Sequence, residues 1–273
     1  MSEVTWVRRY YWSLRRELWE HPSIYVAPLA AGALAVLAYL VSSVRLVGQT
    51  RMGTVVLGQP FDFASGLVMF STLAVGVFYC LDTLYGERRD RSILFWKSLP
   101  LSDATTVAAK VTVPLIVLPL VTTAVSVLAL TLMIVTGTVL TGSAHPPLGR
   151  SAVLLLYHMF TVHALWWAPF FGWMLLISAW APRAPLVWAV VPLLAISFAE
   201  RIALNTSYFT DMLLSRINVS PEVAVANGTT PIDPSAHLTA GLFLQSQGLW
   251  IGLALMLVFA VLAARLRRSN GPI

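Results

Sequence analysis

The residues of this 273-residue chain that could do chemistry are few, and their spacing argues against catalysis within it. His158 and His163 lie five apart in an apolar stretch. On a helix that turns them roughly 140° from one another, away from the shared face that i, i+4 ligands of one metal need. Neither belongs to an HExxH pattern, and no acidic residue shares their stretch. Two roles remain open for them: an interhelical hydrogen bond, the usual fate of an intramembrane polar group, or a place on a substrate path. Gln245 and Gln247 pose the same choice more weakly. Glu200 and Arg201 close another apolar stretch, where an ion pair or snorkelling would satisfy them. No GxSxG elbow accompanies the serines. Gly137-Thr-Val-Leu-Thr-Gly142 imitates the glycine spacing of a P-loop, but Ser143 and Ala144 stand where its Lys and Ser/Thr belong. Cys80 is the single cysteine, so neither an intrachain disulfide nor a cysteine-based metal site can form. No catalytic, cofactor-binding or metal-ligating residue is therefore expected in this chain, and ATP hydrolysis in particular is not.

The elements that hold these residues are apolar. Hydrophobic residues make up 58% of the chain and charged ones 11%, against roughly 45–50% and about 25% in a soluble domain. So little charge cannot cover a soluble surface, which nearly excludes the soluble-enzyme class. A bilayer core needs roughly 20 apolar helical residues per crossing. Six segments qualify: Tyr25–Val44, Phe63–Leu81, Val111–Val135, Ala152–Ala179, Leu186–Leu204 and Gly241–Ala264. Pro114 and Pro119 in the third are tolerable where neighbouring helices satisfy the freed carbonyls. Trp166, Trp167, Phe170, Phe171 and Trp173 in the fourth would suit an amphipathic peptide, lipid or drug, but such residues more often face lipid or pack. The expected fold is an all-α integral membrane protein: residues 1–24 an amphipathic helix, 25–264 a six-helix transmembrane domain, 265–273 a basic tail.

Charge sets the orientation. Six spans place both termini and the segments around 82–110 and 180–185 on one side, with thirteen Lys and Arg there against five on the other. By the positive-inside rule both termini are cytoplasmic. The formal net charge of +6 lies wholly on that side and reads as an orientation and membrane-surface signal rather than a nucleic-acid footprint. Met1–Glu20 lacks the apolar core and cleavage site of a signal peptide. As a helix it aligns Val4, Val7, Tyr11, Leu14 and Leu18 on one face beside Arg8, Arg9, Arg15 and Arg16, which suits a helix lying in the headgroup plane. The external stretch 205–240 opens with an amphipathic piece, Tyr208–Ile217. Its triplets at Asn205, Asn218 and Asn227 match glycosylation acceptors only as chance would supply them.

The richest stretch is the cytoplasmic loop 82–106. Between Asp82 and Asp103 it sets Glu87, Arg88, Arg89, Asp90, Arg91 and Lys97 around Ile93, Leu94, Phe95 and Trp96. Ser92 to Leu99 can form two helical turns ended by Pro100, with Ser102 or Asp103 capping the helix that follows. A solvated connector would not expose Ile-Leu-Phe-Trp; a short helix with aromatic knobs fits docking into a groove on a cytoplasmic partner, the alternative being a face that packs back on the bundle or the membrane surface.

This loop resembles that of the permease subunits of ABC transporters of the type-2 exporter family (ABC-2). Their pattern is an acidic residue and Arg, a short helix, then Pro-hydrophobic-Ser before the third span. Here it runs from Glu87-Arg88 through Ile93-Leu94-Phe95-Trp96-Lys97 to Pro100-Leu101-Ser102. Where many members carry Gly-Thr-Leu-Glu, this chain reads Arg91-Ser92-Ile93-Leu94. The order of parts along the whole chain is similar too: an elbow helix, six spans, a long second cytoplasmic loop and a large external segment before span six. The resemblance implies a permease that pairs with a second copy as a homodimer, with no cofactor of its own. Its partner is a separate ATPase subunit that binds ATP and Mg²⁺ and receives the loop as a coupling helix. ATPase coupling would then fall to Glu87, Arg88, Arg91, Ile93, Phe95, Trp96, Lys97 and Pro100, and a substrate path to residues such as His158, His163 and Gln245. It also implies a bacterial inner membrane and export, with the piece at Tyr208–Ile217 near the exit. A secondary transporter or channel would instead show internal repeats and midplane ion ligands, and an intramembrane enzyme would start from the two histidines.

Overall fold

Apolar helices as long as a bilayer is thick make up most of the chain. The computed structural model describes residues 6–49, 58–98, 101–141, 153, 156–218 and 240–269, and among them no strand occurs. The helices are α1 (Trp6–Glu20), α2 (Ser23–Gln49), α3 (Gly58–Arg89), α4 (Ser92–Ser98), α5 (Asp103–Thr112), α6 (Leu118–Thr141), α7 (Ala168–Trp180), α8 (Pro185–Ala203), α9 (Tyr208–Asn218), α10 (Ala240–Gln245) and α11 (Gln247–Ser269). Among the described residues five stretches are long and apolar enough to cross a membrane: Ser23–Ser43, Phe63–Arg89, Asp103–Val139, Pro185–Ala203 and Gln247–Ser269. A bent pair, Leu156–Trp166 with Ala168–Trp180, adds a sixth when taken as one crossing.

Prolines accompany two of the three departures from straight helices described next. Pro114 cannot donate to the i−4 carbonyl. The chain between α5 and α6 accordingly widens into a π-helical turn, Val113–Val117, and still continues as one span. The fourth expected span, Ala152–Ala179, is not straight. It runs through a π-helical stretch, Met159–Trp166, and turns by 48° at Trp167, just ahead of Pro169 in the first turn of α7. The sixth, expected as continuous from Gly241 to Ala264, is interrupted at Ser246, whose amide and hydroxyl both return to the Phe243 carbonyl.

Inside the bundle α11 packs along α7, α2 along α3 and α6, and α3 against α7. Phe171 and Leu175 of α7, Tyr79 and Leu84 of α3, Leu118 of α6 and Ala263 of α11 share one buried cluster. Gly172 lets α7 and α11 approach closely: a Cβ there would stand 3.1 Å from the Met256 Cα and 3.2 Å from its carbonyl oxygen, the use of small residues that membrane helix interfaces favour. Thr72 and Thr122 share a buried hydroxyl hydrogen bond of 2.6 Å between α3 and α6. By contrast α8 keeps only Ala189 buried along its 19 residues.

Candidate functional site

At the end of the bundle where α3, α5 and α11 meet, α1 and α3 present polar residues one turn apart and α5 a pair two turns apart, each set on one face. α1 offers Ser13 and Glu17, α3 offers Tyr79, Thr83 and Glu87, α5 offers Asp103 and Lys110, and α11 offers Arg267. The stripes converge on Lys110, which is fully buried. Its Nζ lies 2.9 Å from Glu17 Oε1, 3.0 Å from Glu87 Oε1 and 2.7 Å from Thr83 Oγ1. Arg16 bridges the same two acids, with Nη2 at 2.6 Å from Glu17 and 3.0 Å from Glu87. Arg267 donates to Glu87 Oε2 at 3.0 Å and also pairs with Asp103. Tyr79 and Thr83 hydroxyls complete Glu17 at 2.9 and 3.1 Å. At the core of the network three cations, Arg16, Lys110 and Arg267, thus face three carboxylates, Glu17, Glu87 and Asp103, and Arg16 also reaches the more exposed Glu20 at 3.5 Å.

Electrostatics at α1 follow from that balance. Burial alone would push the Glu17 carboxyl up, but Lys110 and Arg16 overcome it and hold the pKa down at about 2. Burial works against the Arg16 charge as well, yet Glu17, Glu20 and Glu87 outweigh it and raise its pKa. Glu17, Glu20 and His21 offer ligand atoms within 4.8 Å of one another. Glu17, however, already accepts two cations, and burial disfavours charge on His21 and Glu20. The group serves as part of an ion-pair network, and its carboxylate is committed there.

The network is roofed by α4. Ser102 caps α5 by accepting from the Thr105 amide at 3.1 Å, which leaves Asp103 free for Arg267. Arg91 takes φ 60° to turn the chain from α3 into α4, a left-handed conformation that glycine adopts without strain. On α4, Ile93 is buried (1% exposed) and anchors the helix, whereas Leu94 and Phe95 stand 58% and 60% exposed. Trp96 lies half-buried with the Arg16 guanidinium 4.0 Å over its ring, so α1 and α4 touch through a cation–π contact. Lys97 is exposed, its Nζ 3.3 Å from the Arg268 carbonyl.

The predicted site residues are therefore divided. Ile93, Phe95, Trp96 and Lys97 stay together on α4, and Pro100 lies outside the described residues. Glu87 and Arg88 point inward. Arg88 donates to the carbonyls of Ala179 and Ala181 at 2.7 and 3.3 Å, satisfying the C-terminus of α7. His163 is buried beside Phe171 and close enough to the half-buried His158 to feel its charge, and Gln245 is exposed on α10. Glu200 does not rely on Arg201. It accepts from the Thr206 hydroxyl and the Phe209 amide at 3.0 and 2.9 Å, fixing the turn from α8 into α9. Sequence reasoning missed Glu17, Lys110 and Arg267 as a unit, although a Ser13/Glu17 pair one turn apart on an otherwise basic, aromatic helix marked the face that packs.

No family model, curated protein or solved structure matches the chain.

Proposed function

We propose that this chain is the membrane-spanning subunit of an ATP-driven exporter of the ABC-2 kind, coupled to a separate ATPase through α4. The observation that carries the reading is the stance of α4: Ile93 anchors it, its Leu94–Phe95 edge is left exposed, and Trp96 joins it to Arg16 of α1. A helix so mounted behaves as a rigid peg. Force applied to Phe95 would pass through Arg16 and the Glu17–Lys110–Glu87–Arg267 network to the feet of α3, α5 and α11 together. Closure of paired ATPases would in this way bias a two-state bundle. In this reading α1 is the elbow helix, the bent pair completes six spans, two copies form the path, and both termini face the cytoplasm of a bacterial inner membrane. The φ of 60° at Arg91 supports it further, since the family's glycine stands at this position.

The test is co-purification from native membranes followed by substrate-stimulated ATPase assay of wild type and the double variant Phe95→Ala, Trp96→Ala. The expected result is an inserted bundle of unchanged size whose partner ATPase is lost or no longer stimulated. If no P-loop ATPase accompanies the wild type, or if the variant keeps full stimulation, the coupling role is wrong.

A further inference from the structure

At the opposite end of the bundle a cavity of about 430 Å³ opens between α7, α8, α9 and α11. It exists because α8 scarcely packs on its neighbours, with Ala189 its one buried residue, while α9 crosses over the gap. Trp166, Phe170 and Trp173 form one wall and Leu193, Ile196 and Leu255 the other. Ile196 and Leu255 also face outward, so the opening lies on the lipid side of two membrane-spanning stretches. Among the described residues the lining has a single charged group, Arg216 of α9. Its guanidinium lies 4.6 Å over the Trp166 ring and donates to the Trp166 carbonyl at 3.0 Å and to the Gly248 carbonyl. Trp166 Nε1 returns a bond of 3.1 Å to the Arg216 carbonyl. Gly252 makes room for the cation: a Cβ there would stand 2.6 Å from Arg216 Nη1.

Among the described residues no carboxylate pairs with Arg216, and Asp211 on the same helix is engaged by Ser207 at 2.8 Å. Two carbonyls occupy two of its five N–H groups. A half-buried cation with no counter-ion among the described residues, set at the mouth of an apolar slot open to lipid, matches one chemistry: an anionic head on a hydrocarbon tail. A free anion would find one donor group and no use for the aromatic wall. A zwitterionic head would bring a second cation against the first.

We propose that this cavity holds one anionic phospholipid of the surrounding bilayer, with its phosphate at Arg216 and an acyl chain between α7 and α8. The site stands on membrane insertion alone and does not depend on the exporter reading. It is tested by native mass spectrometry of the full chain, delipidated in detergent and offered phosphatidylglycerol and phosphatidylcholine in equal amounts. One phosphatidylglycerol per chain is expected, preferred by about tenfold, as a charge-assisted contact of this kind supplies. Arg216→Gln should bring the preference to near unity. Leu213→Trp, which fills the slot and keeps the charge, should lower lipid retention about fivefold or more without restoring phosphatidylcholine. Glycerol phosphate should not displace the lipid. Absence of a preference in the wild type overturns the proposal. So does an unchanged preference in a folded Arg216→Gln, or unchanged retention in Leu213→Trp. Displacement by glycerol phosphate would assign the site to a free anion instead. Should Arg216→Gln not fold, the Leu213→Trp and competition results decide the matter.

Discussion

Replacing Lys110 by Met tests whether the buried network holds the foot of the bundle together. The methionine keeps most of the side-chain volume and removes only the charge. What remains is two cations facing three carboxylates, with Glu17 and Glu87, 0% and 6% exposed, deprived of the ammonium between them. Removing one partner of a buried ion pair costs about 3–5 kcal/mol, because the other charge is left uncompensated. The position of Glu17 gives an independent scale: a carboxyl held from 4.5 down to about 2 corresponds to on the order of 3 kcal/mol. For a chain of this size the loss should lower the thermal midpoint in detergent by about 6–20 °C. Glu17→Gln alone should cost less, since Lys110 keeps Glu87 and Thr83. The double variant, neutral again, should recover part of the Lys110→Met loss, with a coupling of about 1–3 kcal/mol. A midpoint for Lys110→Met within about 2 °C of wild type, or strict additivity in the double variant, would refute the account.

The same network predicts a pH dependence. Because the folded pKa of Glu17 is depressed, its contribution is present above about 4.5 and is lost as pH falls toward about 2; melting curves should show that loss in wild type and a smaller one in Glu17→Gln. Arg91→Gly should be neutral or stabilising by up to about 1 kcal/mol, since glycine relieves a left-handed residue at some entropic cost, as denaturation of the purified chain would register. Gly172→Ala should lower the melting midpoint by the equivalent of about 1–3 kcal/mol, because the new methyl meets Met256 backbone rather than a movable side chain. Cysteine accessibility checks orientation: Cys80 is fully buried, so Ser98→Cys should label from the cytoplasmic side and Ser207→Cys only from outside.

Apolar run length made the spans legible, because crossing a bilayer demands a fixed number of apolar residues whatever the neighbours are. It could not reveal the bend at Trp167 or the interruption at Ser246, since hydropathy does not register whether backbone bonds continue. Pro169 carried no reading from the sequence, since whether a proline kinks or starts a helix depends on the residues stacked against it. α1 shows the deeper reason for the misses. Its apolar face includes Val7 and Tyr11, which remain exposed, while Ser13 and Glu17 pack inward. An amphipathic helix at a membrane has two apolar or polar counterparts to choose between, lipid and bundle, and periodicity alone does not say which face meets which. The choice is made by a residue 93 positions away: Lys110 cannot be left charged and alone in the bundle. It therefore draws in the carboxylate of Glu17, and with it the stretch of α1 where Ser13 is buried and Leu14 and Leu18 pack on the core. Long-range charge balance, rather than local pattern, fixes how α1 sits on the bundle and so how α4 is braced against it.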